Sequence, residues 1–229
     1  MSRPVLALKG LDAGYHDHQV LFGLDLDLAD RQVTAVLGPG GCGKTTLVRI
    51  LGGNTMPGMW WRGRLHQPEK PPVAVRQVPC SLPGASCPPP SGSCQAGMRR
   101  TLSSVWSPRP DLCNELVGLV DQPPVAWHGW QRQLFRFTEA CAREASLYIF
   151  DEPDANTPLH WQDGLAAKIR ELGRRASVLV VTHNLRFARR CADLVAILVE
   201  GRVLEAGRAA EVFSAPRCAR AAQYLTMGS

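Results

Sequence analysis

VTAVLGPGGCGKTTLVRIL, residues 33–51, decides the fold. Val33 to Leu37 form an unbroken apolar run, as expected of a strand buried on both faces. Glycines follow at once. After them Leu47, Ile50 and Leu51 fall on one stripe of a helix. The loop between, Gly38, Pro39, Gly40, Gly41, Cys42, Gly43, Lys44, Thr45 and Thr46, matches G-x-x-x-x-G-K-[ST] in full, and its strand-before, helix-after setting is what that motif requires. Glycines let successive backbone N–H groups turn inward around phosphate oxygens, helped by the positive end of the helix. Lys44 is placed to reach β- and γ-phosphates, and the Thr45 hydroxyl to ligate Mg²⁺. Upstream, Leu24, Leu26 and Leu28 alternate with Asp25 and Asp27, the period of a strand with one wet face.

The second half repeats the strand–helix rhythm. A helix is expected from Gln131 to about Ala145, with Leu134, Phe137 and Cys141 on one face. SLYIF reads as a buried strand, LAAKIREL as a helix through Leu165, Ile169 and Leu172, and SVLVV as another buried strand. LVAILVEGRVLEAG reads as two short strands around a turn at Glu200 and Gly201. Such alternation argues for a layered α/β core with parallel strands. Between Asn54 and about Gln122 the pattern weakens. PEKPPVAVRQVP holds a short extended piece, residues 80–97 are rich in Pro, Gly and Ser and read as irregular, and DLCNELVGLV reads as a short helix through Leu112, Leu116 and Leu119.

Strand ends carry the remaining chemistry. SLYIFDE closes on Asp151, placed to hold Mg²⁺ through its water shell, and Glu152, placed to orient and deprotonate an attacking water. VVTHNL sets His183 directly after a buried strand, where an imidazole can touch a γ-phosphate.

Bulk properties narrow the classes. An apolar fraction of 45% and a charged fraction of 20% suit a protein with a real core. No run approaches the ~20 apolar residues of a membrane span, and the N-terminal stretch lacks a signal segment, so the expected compartment is the cytosol. The net charge of +6 comes from Arg rather than Lys, without basic runs interleaved with aromatics, and no nucleic-acid partner is expected. Cys80, Cys87 and Cys94 recur every seven residues. Without CxxC pairs or a nearby His they read as free thiols rather than a zinc site.

Tyr15 in LDAGY, the phosphate loop, Gln77 in VRQVP, the FDEP block and VTHNL follow one another in the order of an ABC-type ATPase. The chain resembles the nucleotide-binding subunit of an ABC transporter over nearly its whole length, least between Met56 and Trp127. The resemblance implies a single α/β domain: a P-loop NTPase core with a mainly parallel sheet and an antiparallel β edge (1–77 and 128–229), and a smaller helical or irregular subdomain (78–127). It implies ATP and Mg²⁺ as cofactors, Tyr15 stacking on adenine, Gln77 reaching Mg²⁺ and the attacking water, Glu152 as general base and His183 as switch histidine. It also implies a homodimer or heterodimer with another such ATPase, membrane permease partners, and a peripheral place on the inner face of the membrane. The tail most resembles import subunits for phosphate and related oxyanions.

The resemblance fails at two places. Where the family has a Leu-Ser-Gly-Gly-Gln turn that faces the partner's nucleotide, this chain has Trp127, His128, Gly129, Trp130 and Gln131. His128, Gly129 and Gln131 remain candidates for contact with that nucleotide, while the Trp130 indole is expected to obstruct or reshape it. After FDEP, the chain has DANTPLH where the family has Ser-Ala-Leu-Asp. These departures leave open an ordinary transport ATPase using His128 in place of serine, the degenerate half of a heterodimeric pair, or an ATP-driven clamp serving a cytosolic assembly or biosynthetic enzyme. An ATP-binding scaffold without turnover is disfavoured by Glu152 and His183.

Overall fold

The computed structural model describes residues 4–68, 70–76, 92–107, 109–123 and 126–227. Gln77, Cys80 and Cys87 lie outside the described residues, as does the side chain of Cys94. The chain opens with strands β1 (Leu6–Tyr15), β2 (His18–Leu28) and β3 (Val33–Leu37), then helix α1 (Lys44–Leu51), and strands β4 (Met59–His66) and β5 (Val73–Val75). Helices α2 (Gly92–Val105), α3 (Pro110–Val117) and α4 (Gly129–Cys141) lead to β6 (Leu147–Asp151), α5 (Leu159–Gly173) and β7 (Ser177–Thr182). Next come α6 (Leu185–Cys191), β8 (Leu194–Val199), β9 (Arg202–Arg208), α7 (Ala209–Ser214) and α8 (Ala219–Met227).

Two sheets result. A six-stranded sheet runs β5-β6-β7-β3-β8-β9, parallel except for β9, and a three-stranded antiparallel sheet runs β2-β1-β4. The expected parallel core with an antiparallel edge is therefore present. Alternation on β7 shows how the apolar runs are used: Val178 and Val180 face one cluster with Phe150, Phe137 and Trp161, while Leu179 and Val181 face another with Leu47, Leu51 and the leucines of β1 and β2. A third cluster joins Leu37 and Ile197 to Val212, Ala221 and Tyr224 of the C-terminal helices. Each fully buried aliphatic side chain in these clusters contributes about 1.5–3 kcal/mol.

Two expectations change, and one strand carried no sequence signal. Residues 92–97, read as irregular from their Ser and Gly, open α2, whose Leu102 and Val105 pack with Trp106 into the cluster beneath α4. Burial of that apolar face overrides weak local propensity. Helix α4 starts at Gly129 and stops at Cys141, short of Ala145, where Arg143 N–H folds back to the Ala140 carbonyl at 3.1 Å. Strand β4 carries no clear alternation because most of it is exposed. It pairs with β1 alone, as a sheet edge.

Candidate nucleotide site

The parallel strands deliver their C-terminal ends to one edge of the sheet, the usual place for ligands in α/β folds. β3 ends in the phosphate loop, β6 in Asp151 and Glu152, and β7 in Thr182 and His183. Neighbouring registers bring these ends together, since Leu37 pairs with Thr182 and Asp151 with Val181.

Loop geometry follows from close packing. A Cβ on Gly38 would lie 2.0 Å from the Leu198 carbonyl oxygen and 2.7 Å from Cys42 Sγ, so only glycine fits. Gly43, the N-cap of α1, has φ 108° and a virtual Cβ 2.5 Å from Leu21 Cδ2. Lys44 is buried and donates from Nζ to the Gly38 and Pro39 carbonyls, both at 2.7 Å, with Cys42 Sγ 3.7 Å away. The Gly201 N–H, in the β8–β9 turn where Glu200 and Gly201 both have positive φ, donates to the Cys42 carbonyl at 3.1 Å. Gly40, Gly41 and Thr45 are exposed on the open side, and Thr46 is buried behind them.

Asp151 is 2% exposed, and burial pushes its carboxyl up to about 6, reinforced by Glu152 and opposed by Lys44, Arg49 and Arg76. Two adjacent carboxylates so placed call for a cation, and a hard divalent ion with oxygen ligands suits this donor set together with the exposed Thr45 hydroxyl. Glu152 takes a left-handed backbone conformation, φ 47°, its N–H held by the Val181 carbonyl at 2.7 Å. A non-glycine residue pays strain to sit there, the kind of conformation that clusters at active sites. The turn aims its carboxylate at His183, with Oε1 3.2 Å from Nδ1. Sequence reasoning named both residues, and the fold brings them together.

Other groups support this pair. Asp154, buried and with its carboxyl raised by burial, accepts a hydrogen bond from Thr182 Oγ1 at 2.9 Å, and Thr182 Oγ1 accepts the Asn184 N–H at 3.0 Å. Asn184 then caps α6 through the Phe187 N–H. The DANTPLH turn thus has its own internal anchor to β7. Arg49, one helical turn beyond Thr45, donates to Tyr15 Oη at 2.8 Å, and that hydroxyl is 3.4 Å from Thr46 Oγ1. Tyr15 therefore stands beside the loop, its ring half-buried. Arg49 and Asp154 were missed in the sequence. A cation four residues after Thr45, off the Leu47, Ile50 and Leu51 stripe and on the side of α1 that carries Thr45, was the available signal for the first.

The Trp127–Gln131 turn differs from expectation in one respect. Trp127 is buried, stacked on Phe135 at 4.1 Å and donating from Nε1 to the Leu119 carbonyl at 3.1 Å. Gln131, also buried, accepts the His128 N–H on Oε1 at 2.7 Å and so caps α4. The Trp130 ring does not project across the turn. It packs against the apolar cluster, 6.5 Å from the ring of Trp161 at the start of α5. Trp161 in turn donates to Glu115 Oε2 at 2.9 Å. His128 is left exposed at the tip, with Gly129 partly open beside it.

Comparison with known proteins finds relatives along most of the chain. Residues 21–78 match the family described as ABC transporter. The aliphatic sulfonates import ATP-binding protein SsuB 1 of Nocardia farcinica is 33% identical over 202 residues, covering 86% of this chain and 79% of that protein. The phosphate import ATP-binding protein PstB of Salinibacter ruber is 27% identical, covering 98% of both. The sn-glycerol-3-phosphate import ATP-binding protein UgpC of Cupriavidus necator is 29% identical, and the match spans 96% of this chain but only 63% of that protein. A solved ATP-binding subunit of an ABC transporter superposes with a TM-score of 0.72 at 21% identity, covering 97% of this chain and 99% of its own.

Proposed function

The chain belongs to the ATP-binding subunits of ABC transporters and is an ATPase, and from that premise we propose that it works in a dimer as the motor of a solute importer. The Glu152–His183 pair, 3.2 Å apart at the strand ends beside the phosphate loop, is the observation that carries the hydrolytic reading. A scaffold that only bound ATP would have no use for a strained carboxylate aimed at an imidazole.

The roles follow from position. Backbone N–H groups of Gly40 to Thr45 cradle phosphate oxygens, and Lys44 leaves the loop carbonyls to meet the β- and γ-phosphates. Thr45 and Asp151, with Gln77, would hold Mg²⁺, which would neutralise charge on the phosphates. Glu152 takes the proton of the attacking water. His183 orients Glu152 and the γ-phosphate, and Tyr15 flanks the base. Across the dimer, His128 and the Gly129 N–H meet the partner's γ-phosphate, while Gln131 fixes the turn. Because Trp130 lies back against Trp161, that approach stays open, and this favours a competent turn over a degenerate one.

Import of anionic solutes is the finer reading, supported by relatives named for sulfonates, phosphate and glycerol phosphate. No helix among the described residues is long and apolar enough to cross a membrane, so attachment to the inner face would come through permease subunits. Size measurement of Glu152→Gln with and without ATP-Mg²⁺ tests the dimer. The expected result is a shift from monomer to dimer on ATP. A monomer at saturating ATP would contradict a homodimer and point to a second, different ATPase subunit.

A further inference from the structure

A second concavity lies outside the nucleotide site. Strand β5 ends the six-stranded sheet, and where α4 packs beside it a cavity of about 470 Å³ opens to the surface. Val73, Val75 and Ala140, all buried, form its apolar floor, and Arg76, Arg136 and Arg143 stand around it. Arg136 lies on α4, Arg143 two turns further on just past its C-terminus, and Arg76 directly follows β5.

None of these three guanidinium groups has an ion-pair or hydrogen-bond partner among the described residues. Three like charges around one concavity repel one another, and an apolar floor focuses their field instead of screening it. Glu139 is the one carboxylate in the lining, so positive charge is in excess there. Burial also raises its carboxyl toward the neutral form, against the pull of Arg136. Gln133, one turn before Arg136 on α4, is 5% exposed, and its Nε2 donor has no partner among the described residues. Further cations lie close by: Tyr148, paired with Val73 across the sheet, lines a neighbouring cavity with Lys70, Arg175 and Glu144.

We propose that the cavity between β5 and α4 is an oxyanion site, which takes a small tetrahedral anion such as phosphate, sulfate or a sulfonate group on Arg76, Arg136 and Arg143. An anion there removes the mutual repulsion of the three cations, and the planar guanidinium fork matches its oxygens in pairs. The site is distinct from the phosphate loop, because α4 and α1 cover opposite faces of the sheet. It is nonetheless near the strand end that carries Asp151, since Arg76 comes one residue after the Val75–Phe150 pair.

Inorganic phosphate titrated at constant ionic strength, followed by phosphorus NMR and thermal unfolding, tests the site. Lys44→Ala disables the phosphate loop, so binding that survives in the full-length Lys44→Ala protein belongs elsewhere. Saturable binding is expected in that protein. Adding Arg136→Gln or Arg143→Gln should weaken it about tenfold, the effect of one charge-assisted hydrogen-bonded contact. Adding Arg64→Gln, which removes the same charge from β4, should leave it unchanged. If Lys44→Ala does not fold, the same arginine substitutions are compared in Glu152→Gln with its loop filled by saturating ATP-Mg²⁺. Absence of saturable binding once the loop is disabled or filled would overturn the proposal. So would wild-type affinity in the Arg136 and Arg143 variants, or an equal loss in Arg64→Gln, which would mark a general charge effect.

Discussion

Replacing Trp130 with glycine separates two views of the altered turn. If the indole stood in the way of a partner's nucleotide, its removal would raise activity and leave stability alone. The structure places the ring against the apolar cluster beside Trp161, as part of the core rather than the tip. Deleting a fully buried tryptophan costs about 3–5 kcal/mol, so a partly buried one should cost roughly 2 kcal/mol. Glycine in the first turn of α4 adds up to ~1 kcal/mol. For a chain of this size, a loss of about 2–3 kcal/mol corresponds to a fall in melting temperature of roughly 4–12 °C. Thermal or urea unfolding of Trp130→Gly measures it directly, with Trp130→Phe retaining most of the wild-type stability. Hydrolysis measured well below the new midpoint should be unchanged or lower, since the turn loses its support on α5. A stability within ~0.5 kcal/mol of wild type, together with faster turnover, would refute the packing argument.

Other consequences are more local. Gly38→Ala drives a methyl group to 2.0 Å from the Leu198 carbonyl, so ATP binding should disappear and stability fall by about 3 kcal/mol, read by nucleotide titration and unfolding. His183→Ala should lower turnover roughly a hundredfold with ATP affinity kept, because it removes the group that orients Glu152; equal loss of binding would show a structural role instead. Among the described thiols, Cys141 and Cys191 are buried and pushed up to about 12 by desolvation, whereas Cys218 is partly exposed. Brief alkylation at pH 8 followed by peptide mass spectrometry should label Cys218 and spare the other two until the protein unfolds.

The features that sequence made plain share a physical cause. β3, β6 and β7 are buried on both faces, and only continuous apolar runs meet that demand, so their ends, and with them Lys44, Asp151, Glu152 and His183, could be placed. β4 was invisible because an exposed edge strand holding Trp60, Trp61, Arg62 and Arg64 has no need of alternation. The start of α2 was hidden because Ser93 and Gly97 hold their helix only through the packing of residues further along. The direction of Trp130 depended on Trp161, thirty-one residues away and brought near by tertiary packing, which no local pattern encodes. Tyr224 carried no motif at all. It joins the cluster of Leu37 and Ile197 only because α8 folds back onto the core.

The central claim is that this chain's own loop, with Glu152 as base, hydrolyses ATP. Its most direct test is ATP hydrolysis and ATP binding measured side by side in wild type and Glu152→Gln. The account predicts that Glu152→Gln binds ATP-Mg²⁺ at least as well as wild type while its turnover falls by about a hundredfold or more. Equal turnover in the two proteins would contradict it.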